Sequence, residues 1–340
     1  MNIKCYKVFK PGSLKRLKFI DGDLGSPGKG EVTIEVKAIG LNYADIFAIM
    51  GLYSATPKEP FIPGLEYSGV VIKTGEDVNG VKVGDKVMGV TRFGAYTTHL
   101  NIDHRYIIPL PSGWSFEEGA AFPVQVLTAY YGLVTLGNLQ KGQTVLIHSA
   151  AGGVGLLANR IAKKMGAYTI GVVGSVSKFE ILKKENYDRW LIRSNNFKKE
   201  VMQALEGREL NLVMETTGNK YFYWSYDLLA PMGRMISYGS AQFTPSGKSP
   251  FYPLLLLKYL FRPRVDPLSM IKANKSLMAF NLIWLYERVD LMKQLLDEIF
   301  QLNMEAPVVG RVYAFNDLPS ALIDFKSGAT IGKLVVKTSE

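Results

Sequence analysis

The run Thr144-Val145-Leu146-Ile147-His148, followed by Ser149-Ala150-Ala151-Gly152-Gly153-Val154-Gly155, constrains this chain more than any other stretch. Five consecutive residues dominated by apolar side chains read as a buried strand. The glycine-rich turn that follows opens an amphipathic helix over 153–165. Glycines let the backbone turn tightly and approach a pyrophosphate, whose charge the free amides and dipole of the helix N-terminus stabilise. Ala150 stands where the usual fingerprint has its first glycine. Ala151, Gly152, Gly153 and Val154 are therefore candidate cofactor contacts. The alternative is a tight turn without a ligand, and the pattern beyond it decides against that.

Strand and helix signals continue to alternate: strand 168–173, helix 177–185, strand 211–215 and strand 234–238. Alternation at this spacing predicts right-handed βαβ units and a doubly wound parallel sheet. The first third has a different texture. Glu31 to Ala38 alternates with period two, and Gly69–Ile72 and Val87–Val90 are short apolar runs punctuated by Gly75, Gly80, Gly84 and Gly94. Short strands with glycine turns predict a small barrel-like unit. Ser115, three residues before Glu118, reads as a capping box that starts a helix. Strand texture returns at 311–315 and 332–337, around a short helix at 318–325. The expected chain is thus α/β, with a β-barrel domain over 1–122 completed by 306–340 and a Rossmann domain over 123–305. A length of 340 residues also suits two domains better than one core.

Composition narrows the function classes. Apolar residues make up 47% and charged residues 21%, which excludes a disordered chain. Cys5 is the single cysteine, so neither an internal disulfide nor a cysteine-rich zinc site can form, and a reducing cytoplasm is the expected location. The first nineteen residues scatter six Lys/Arg among isolated apolar side chains and lack a signal-peptide core. The excess of 40 basic over 30 acidic residues favours anionic partners without choosing between them. No zinc knuckle, helix-turn-helix or RNA-binding consensus appears, so nucleic acid is not expected as a partner.

The strand after the glycine turn bears on the cofactor. NAD-selective folds place a carboxylate about 20 residues on, against the ribose 2′-hydroxyl. Here that position is Gly174, followed by Ser175, Val176, Ser177 and Lys178. Two hydroxyls and an ammonium suit a 2′-phosphate through charge-assisted hydrogen bonds, so NADP(H) is the expected cofactor. A solvated helix residue is the other reading of Lys178.

Several motifs in order carry a family resemblance: Gly40-Leu41-Asn42-Tyr43-Ala44-Asp45, Gly51-Leu52-Tyr53, Pro63-Gly64-Leu65-Glu66-Tyr67-Ser68-Gly69, the glycine turn, and Ile331-Gly332-Lys333. The chain resembles the medium-chain dehydrogenase/reductases over nearly its whole length, in the zinc-free quinone oxidoreductase branch. The stretch 271–282 is similar to the vesicle amine transport protein-like members. The resemblance implies a GroES-like first domain, a Rossmann second domain and a cleft between them. Zinc-dependent relatives bind metal at positions that look like Asn42, Leu65 and Gln125 here, and leucine cannot ligate. His99, His104 and His148 form no ligand-like grouping, so no metal is expected.

Without zinc, the resemblance implies hydride transfer from a nicotinamide to a quinone or a conjugated enone, whose developing charge delocalises onto oxygen. Asn42, Thr128, Gly239, Ser240, Phe280, Asn281 and Lys333 match positions around the cofactor in the family. Tyr53 matches the catalytic tyrosine of related enoyl thioester reductases and is the candidate proton donor, with cleft lining or cofactor stacking as its other reading. Asp45 reads as a capping residue. Two departures stand out. Arg193-Ser194 falls where relatives carry a tyrosine over the adenosine, and Ser194 is too small to cover it. Asn186-Tyr187 replaces the usual Gly-Ala after the helix.

One segment lies outside this scheme. Residues 248–275 hold Lys248, Lys258, Arg262, Arg264, Lys272 and Lys275 against a single acid, Asp266, beside the apolar run 251–257. Cations beside a compact apolar run suit an anionic membrane surface. A cleft-lining helix or a dimer interface is the competing reading. The sequence thus leads to a cytoplasmic, homodimeric, NADPH-dependent reductase of quinones or enones, with a lipid-associated nucleotide-binding protein as the alternative.

Overall fold

A computed structural model describes residues 1–245 and 247–338. The chain opens with an antiparallel pair, β1 (Asn2–Val8) and β2 (Leu17–Asp23). The alternating run expected over 31–38 forms β3 (Glu31–Gly40), the longest strand, whose apolar face is fully buried at Val32, Ile34 and Ile39. Helix α1 (Tyr43–Met50) follows, then β4 (Glu66–Thr74), β5 (Lys86–Val90), β6 (His99–Asp103) and β7 (Ile107–Pro109). Ser115 and Glu118 cap α2 (Phe116–Ala120) reciprocally, as their spacing predicted. Helix α3 (Pro123–Tyr130) then leads into the second half.

That half runs β8 (Thr144–His148), α4 (Gly153–Lys164), β9 (Tyr168–Val173), α5 (Phe179–Lys184), β10 (Arg189–Ile192), α6 (Phe197–Leu205), β11 (Leu210–Glu215), α7 (Asn219–Leu228) and β12 (Leu229–Ser237). Helices α8 (Tyr252–Leu260) and α9 (Pro267–Ala273) precede β13 (Ser276–Ala279) and α10 (Val289–Gln301). The chain closes with β14 (Val309–Ala314), α11 (Leu318–Lys326) and β15 (Lys333–Lys337).

Two sheets organise these elements. Six strands form a wholly parallel Rossmann sheet in the order β10-β9-β8-β11-β12-β13. The other runs β14-β15-β3-β4-β5-β7 with β6 on β3, so the last strands of the chain join the GroES-like sheet of the first. The chain works outward from β8 to β9 and β10, then crosses back to β11. Neighbouring connections therefore leave the sheet in opposite directions between β8 and β11, and a crevice opens at their carboxyl ends. That switch point positions the site.

Three local differences have physical causes. The helix expected from 177 begins as a 3-10 turn over Val176–Lys178, because the Ser175 hydroxyl accepts from the Ser177 amide and caps it. The strand expected at 234–238 starts at Leu229, where pairing with Leu210 of β11 draws five more residues into the sheet. Strands β10 and β13 were not anticipated, since four residues each give too short a pattern and their parallel neighbours supply the order.

Candidate active site

One cavity of about 1470 Å³ runs between the two halves. Ligand sites of single small molecules occupy roughly 300–1,000 Å³, so there is room for a dinucleotide and a second molecule. Its floor comes from the carboxyl ends of the parallel strands: Ser149 after β8, Val173 and Gly174 at β9, Thr216 after β11, Ser237 and Tyr238 at β12.

The glycine turn lies in this crevice. Ala151, Gly152, Gly153 and Val154 all line the cavity. Ser149 adopts a left-handed φ of 53°, and a Cβ on Gly155 would lie 2.6 Å from the Ser149 carbonyl oxygen, so the turn admits only glycine there. The departures at 186–187 explain themselves. Asn186 takes a left-handed φ of 57°, which asparagine tolerates in place of glycine. Tyr187 is buried, and its hydroxyl sits 2.8 Å from the Gly155 carbonyl oxygen and 3.2 Å from that of Ala150. The phenol props the turn from beneath. The Gly332 amide donates to the Ala151 carbonyl at 2.8 Å and ties the turn to the start of β15.

Beside the turn lies a buried polar cluster that joins distant parts of the chain. Lys333 Nζ donates to Asn42 Oδ1 at 2.9 Å and pairs with Glu66 Oε1. Gln125 Nε2 donates to the same two oxygens at 2.8 and 3.0 Å, and Asn42 Nδ2 donates to Glu66 Oε1 at 2.9 Å. The Val124 amide satisfies Glu66 Oε2 at 3.0 Å. Burial pushes the Lys333 ammonium down in pKa, and the Glu66 carboxylate opposes it. Asp45 accepts from the Asn42 amide and the Tyr96 hydroxyl, both at 2.8 Å, which caps α1. Burial raises its carboxyl to about 7.

These residues do not suit a divalent metal. Asn42, Leu65 and Gln125 offer two amides and a hydrocarbon, and an ammonium sits within the cluster. Among the described residues no three His, Cys, Asp or Glu side chains converge. His148 is fully buried with Nε2 against the Ser225 hydroxyl at 2.8 Å, and burial lowers it to about 3.

On the far wall, the Tyr53 hydroxyl donates to Asn281 Oδ1 at 2.7 Å, bridging the two halves across the cavity. Burial raises the phenol to about 12, so it keeps its proton at neutral pH. Phe280, before Asn281, stacks on Tyr238 with centroids 5.9 Å apart. Thr128 donates from Oγ1 to the Val124 carbonyl at 2.7 Å and lines the cavity, as do Gly239 and Ser240.

The corner at the carboxyl end of β9 differs in part from the sequence expectation. Lys178 lines the cavity but is buried, and its ammonium donates to the Gly328 carbonyl at 2.6 Å. It is no solvated helix residue. Ser175 and Ser177 are not among the lining residues, and their hydroxyls hydrogen-bond each other at 2.9 Å in the cap of the 3-10 turn. Ser194 also lies outside the lining, with its hydroxyl donating to Glu200 at 2.9 Å. Gly174 does line it, and so does Arg193, whose guanidinium lies against Gly174 and which the sequence reading treated only as part of a lost tyrosine.

Helix α8 has a double role. Tyr252, Leu255, Leu256 and Tyr259 line the cavity, yet none of its residues is buried, and Leu256 and Tyr259 remain 59% and 53% exposed. Phe261 beyond its end is 79% exposed. Of the six cations counted there, Lys258 and Lys275 turn inward to the carbonyls of Gln242 and Asp227, at 2.6 and 2.8 Å. No helix among the described residues is long and apolar enough to cross a membrane.

Comparison with known proteins agrees with this architecture. Residues 28–112 match the alcohol dehydrogenase GroES-like domain, and residues 153–262 match the zinc-binding dehydrogenase family. The synaptic vesicle membrane protein VAT-1 homolog of Homo sapiens is 31% identical over 314 residues, covering 92% of this chain and 80% of that protein. Its Danio rerio counterpart is 34% identical over 313 residues, 91% of this chain, which spans 64% of that longer relative. The Escherichia coli quinone oxidoreductase solved with NADPH superposes with a TM-score of 0.85 at 26% identity, over 98% of this chain and 100% of that one. The chain belongs to the medium-chain dehydrogenase/reductase superfamily, in its quinone oxidoreductase branch, to which the VAT-1 homologs are related.

Proposed function

We propose that this protein is an NADPH-dependent, zinc-independent reductase of quinones or α,β-unsaturated carbonyl compounds. The observation that carries the proposal is the single cavity joining the glycine turn to Tyr53 and Asn281. Ala151, Gly152, Gly153 and Val154 would hold the pyrophosphate, with Gly174 and Lys178 at the adenosine end. Asn42, Thr128, Gly239, Ser240, Phe280 and Lys333 would surround the nicotinamide. The family resemblance behind these assignments is joined by the NADPH bound to the Escherichia coli relative.

A bound NADPH supplies a hydride, and the residues of this chain supply position and a proton. Lys333 and Gln125 hold Asn42 rigid, so its amide presents one fixed face to the cleft. Tyr53, neutral and anchored on Asn281, would donate a proton to the enolate or to the oxyanion of the hydroquinone monoanion and regain it from solvent. The overall step consumes one hydride and one proton per acceptor reduced. Apolar side chains of α8 give the cavity a hydrocarbon wall against which a quinone or enone could pack. NADPH oxidation against a panel of quinones and enones, without added metal and with NADH in parallel, tests the reading. Turnover that prefers NADPH supports it; nucleotide binding without turnover on any acceptor overturns it.

A second reading has its own observation. The exposed apolar face of α8 and α9, which includes Phe261, Leu268 and Ile271, borders Arg262, Arg264 and Lys272. That combination suits docking on an anionic lipid surface, and relatives named synaptic vesicle membrane proteins lend it support. Sedimentation with phosphatidylserine vesicles at low and high salt tests it, and binding absent at low salt would remove it. A homodimer through the Rossmann half belongs to the same proposal, since β13 ends the sheet with one edge unpaired.

A further inference from the structure

The adenosine end of the cavity holds two cations, Lys178 and Arg193, that no carboxylate meets within ion-pair distance among the described residues; Glu215 acts on Arg193 only from further off. Strand β10 pairs in parallel with β9, and the Arg193 amide donates to the Val173 carbonyl at 2.9 Å. That register places Arg193 beside the carboxyl end of β9, and its side chain crosses in front of Gly174. A Cβ on Gly174 would stand 2.7 Å from Arg193 Nη2. The position that carries the ribose-binding carboxylate in NAD-selective folds therefore holds a guanidinium reaching over a glycine. Lys178 lines the same corner, and among the described residues its ammonium donates only to the Gly328 carbonyl.

Neither cation forms a salt bridge among the described residues, although the chain makes fourteen elsewhere. Burial lowers the pKa of both, and the charge of Arg193 lowers that of Lys178 further. Two partly desolvated like charges held together are costly unless an anion joins them. A guanidinium with a free fork matches a phosphate bidentately, whereas an ammonium acts as a point charge. Ser175, Ser177 and Ser194, with their hydroxyls engaged elsewhere, leave this work to the cations.

We propose that Arg193, with Lys178 beside it, forms the clamp for the 2′-phosphate of NADP(H), and that Arg193 is the residue that selects this nucleotide over NAD(H). The inference rests on the cavity being the dinucleotide site. A pyrophosphate is the other anion the corner could bind, and adenosine fragments separate the two sources.

Calorimetric titration of the full chain with 2′,5′-ADP, which carries the 2′-phosphate, and with 5′-ADP, which carries only the pyrophosphate, is the test. The unaltered chain is expected to prefer 2′,5′-ADP. Arg193→Met is expected to weaken 2′,5′-ADP by ~10- to 100-fold while leaving 5′-ADP unchanged, and Arg193→Lys to recover part of the loss. Gly174→Asp, which sets a carboxylate against the guanidinium at an exposed position, is expected to reverse the preference and serves as the second variant if Arg193→Met unfolds. Equal losses for both fragments would move Arg193 to the pyrophosphate and overturn the proposal. An unchanged 2′,5′-ADP affinity in Arg193→Met would overturn it as well. Binding of neither fragment, nor of NADPH, by the unaltered chain would instead remove the dinucleotide site on which the inference stands.

Discussion

Lys333 and Glu66, separated by 267 positions in the chain, form an ion pair whose side chains are 3% and 0% exposed. It joins the last strand of the chain to β4 and fixes Asn42 and Gln125 between them. By the family resemblance, Asn42, Leu65 and Gln125 match the positions at which zinc-dependent relatives carry their metal ligands. In this chain an internal ammonium–carboxylate pair organises the same corner.

Breaking that pair leaves a buried charge without its partner. Lys333→Met is expected to lower unfolding free energy by about 3–5 kcal/mol, and Glu66→Gln by a similar amount. The double variant Lys333→Met/Glu66→Gln should cost less than the sum of the two, because no lone charge remains. Urea denaturation of the three variants measures the coupling, and strict additivity would show that the two groups do not stabilise each other.

Asp45 gives stability a pH dependence of its own. Burial raises its carboxyl from 3.8 to about 7, so the folded protein binds this proton more tightly than the unfolded chain does. Its contribution is complete below the unfolded value and is lost as pH rises through about 7, with a slope of at most about 1.4 kcal/mol per pH unit. Asp45→Asn keeps an oxygen to accept from Asn42 and Tyr96 and should remove that slope. Denaturation midpoints of both proteins between about pH 4 and 7 provide the comparison.

Tyr53 should act as a donor whose state does not change under assay conditions. With its phenol raised to about 12, it titrates far above neutrality. Tyr53→Phe is expected to lower turnover by ~10²-fold with NADPH affinity unchanged. The remaining activity should show no new ionisation across about pH 6–9. Turnover equal to that of the unaltered chain would leave Tyr53 as lining only.

Removing one hydroxyl tests the prop beneath the glycine turn. Tyr187→Phe takes away the group that lies 2.8 Å from the Gly155 carbonyl and leaves the ring packed. A loss of about 1 kcal/mol in stability is expected. NADPH binding should weaken with it, because the turn loses its fixed position. Fluorescence titration with NADPH, beside a denaturation curve, distinguishes a softened turn from a general loss of stability.

Local chemistry made much of the architecture readable. Strand β8 with its glycine turn, the Ser115–Glu118 cap and the alternation along β3 each depend on neighbours a few residues apart. The parallel sheet followed from the order of those elements, since parallel strands need helical crossovers of fixed hand. The doubtful places were those where a side chain meets a partner from another strand or loop. Lys178 was legible as a phosphate-seeking cation, but a solvated helix residue remained its other reading until the fold set its ammonium against the Gly328 carbonyl. Arg193 looked like a missing tyrosine because its relation to Gly174 exists only once β10 pairs with β9.

By itself, then, the sequence determined the two-sheet plan, the glycine turn between β8 and α4, and a set of residue types at 42, 65 and 125 that includes a leucine, all properties of residue type and short spacing. Tertiary structure alone decided which cations line the cavity, how Lys333 reaches Glu66, and why Tyr187 follows Asn186. Backbone preferences are set within a few residues. The charge and hydrogen-bond partners of a buried side chain are set by whatever the fold brings within about 3 Å, and that distance has no counterpart along the chain.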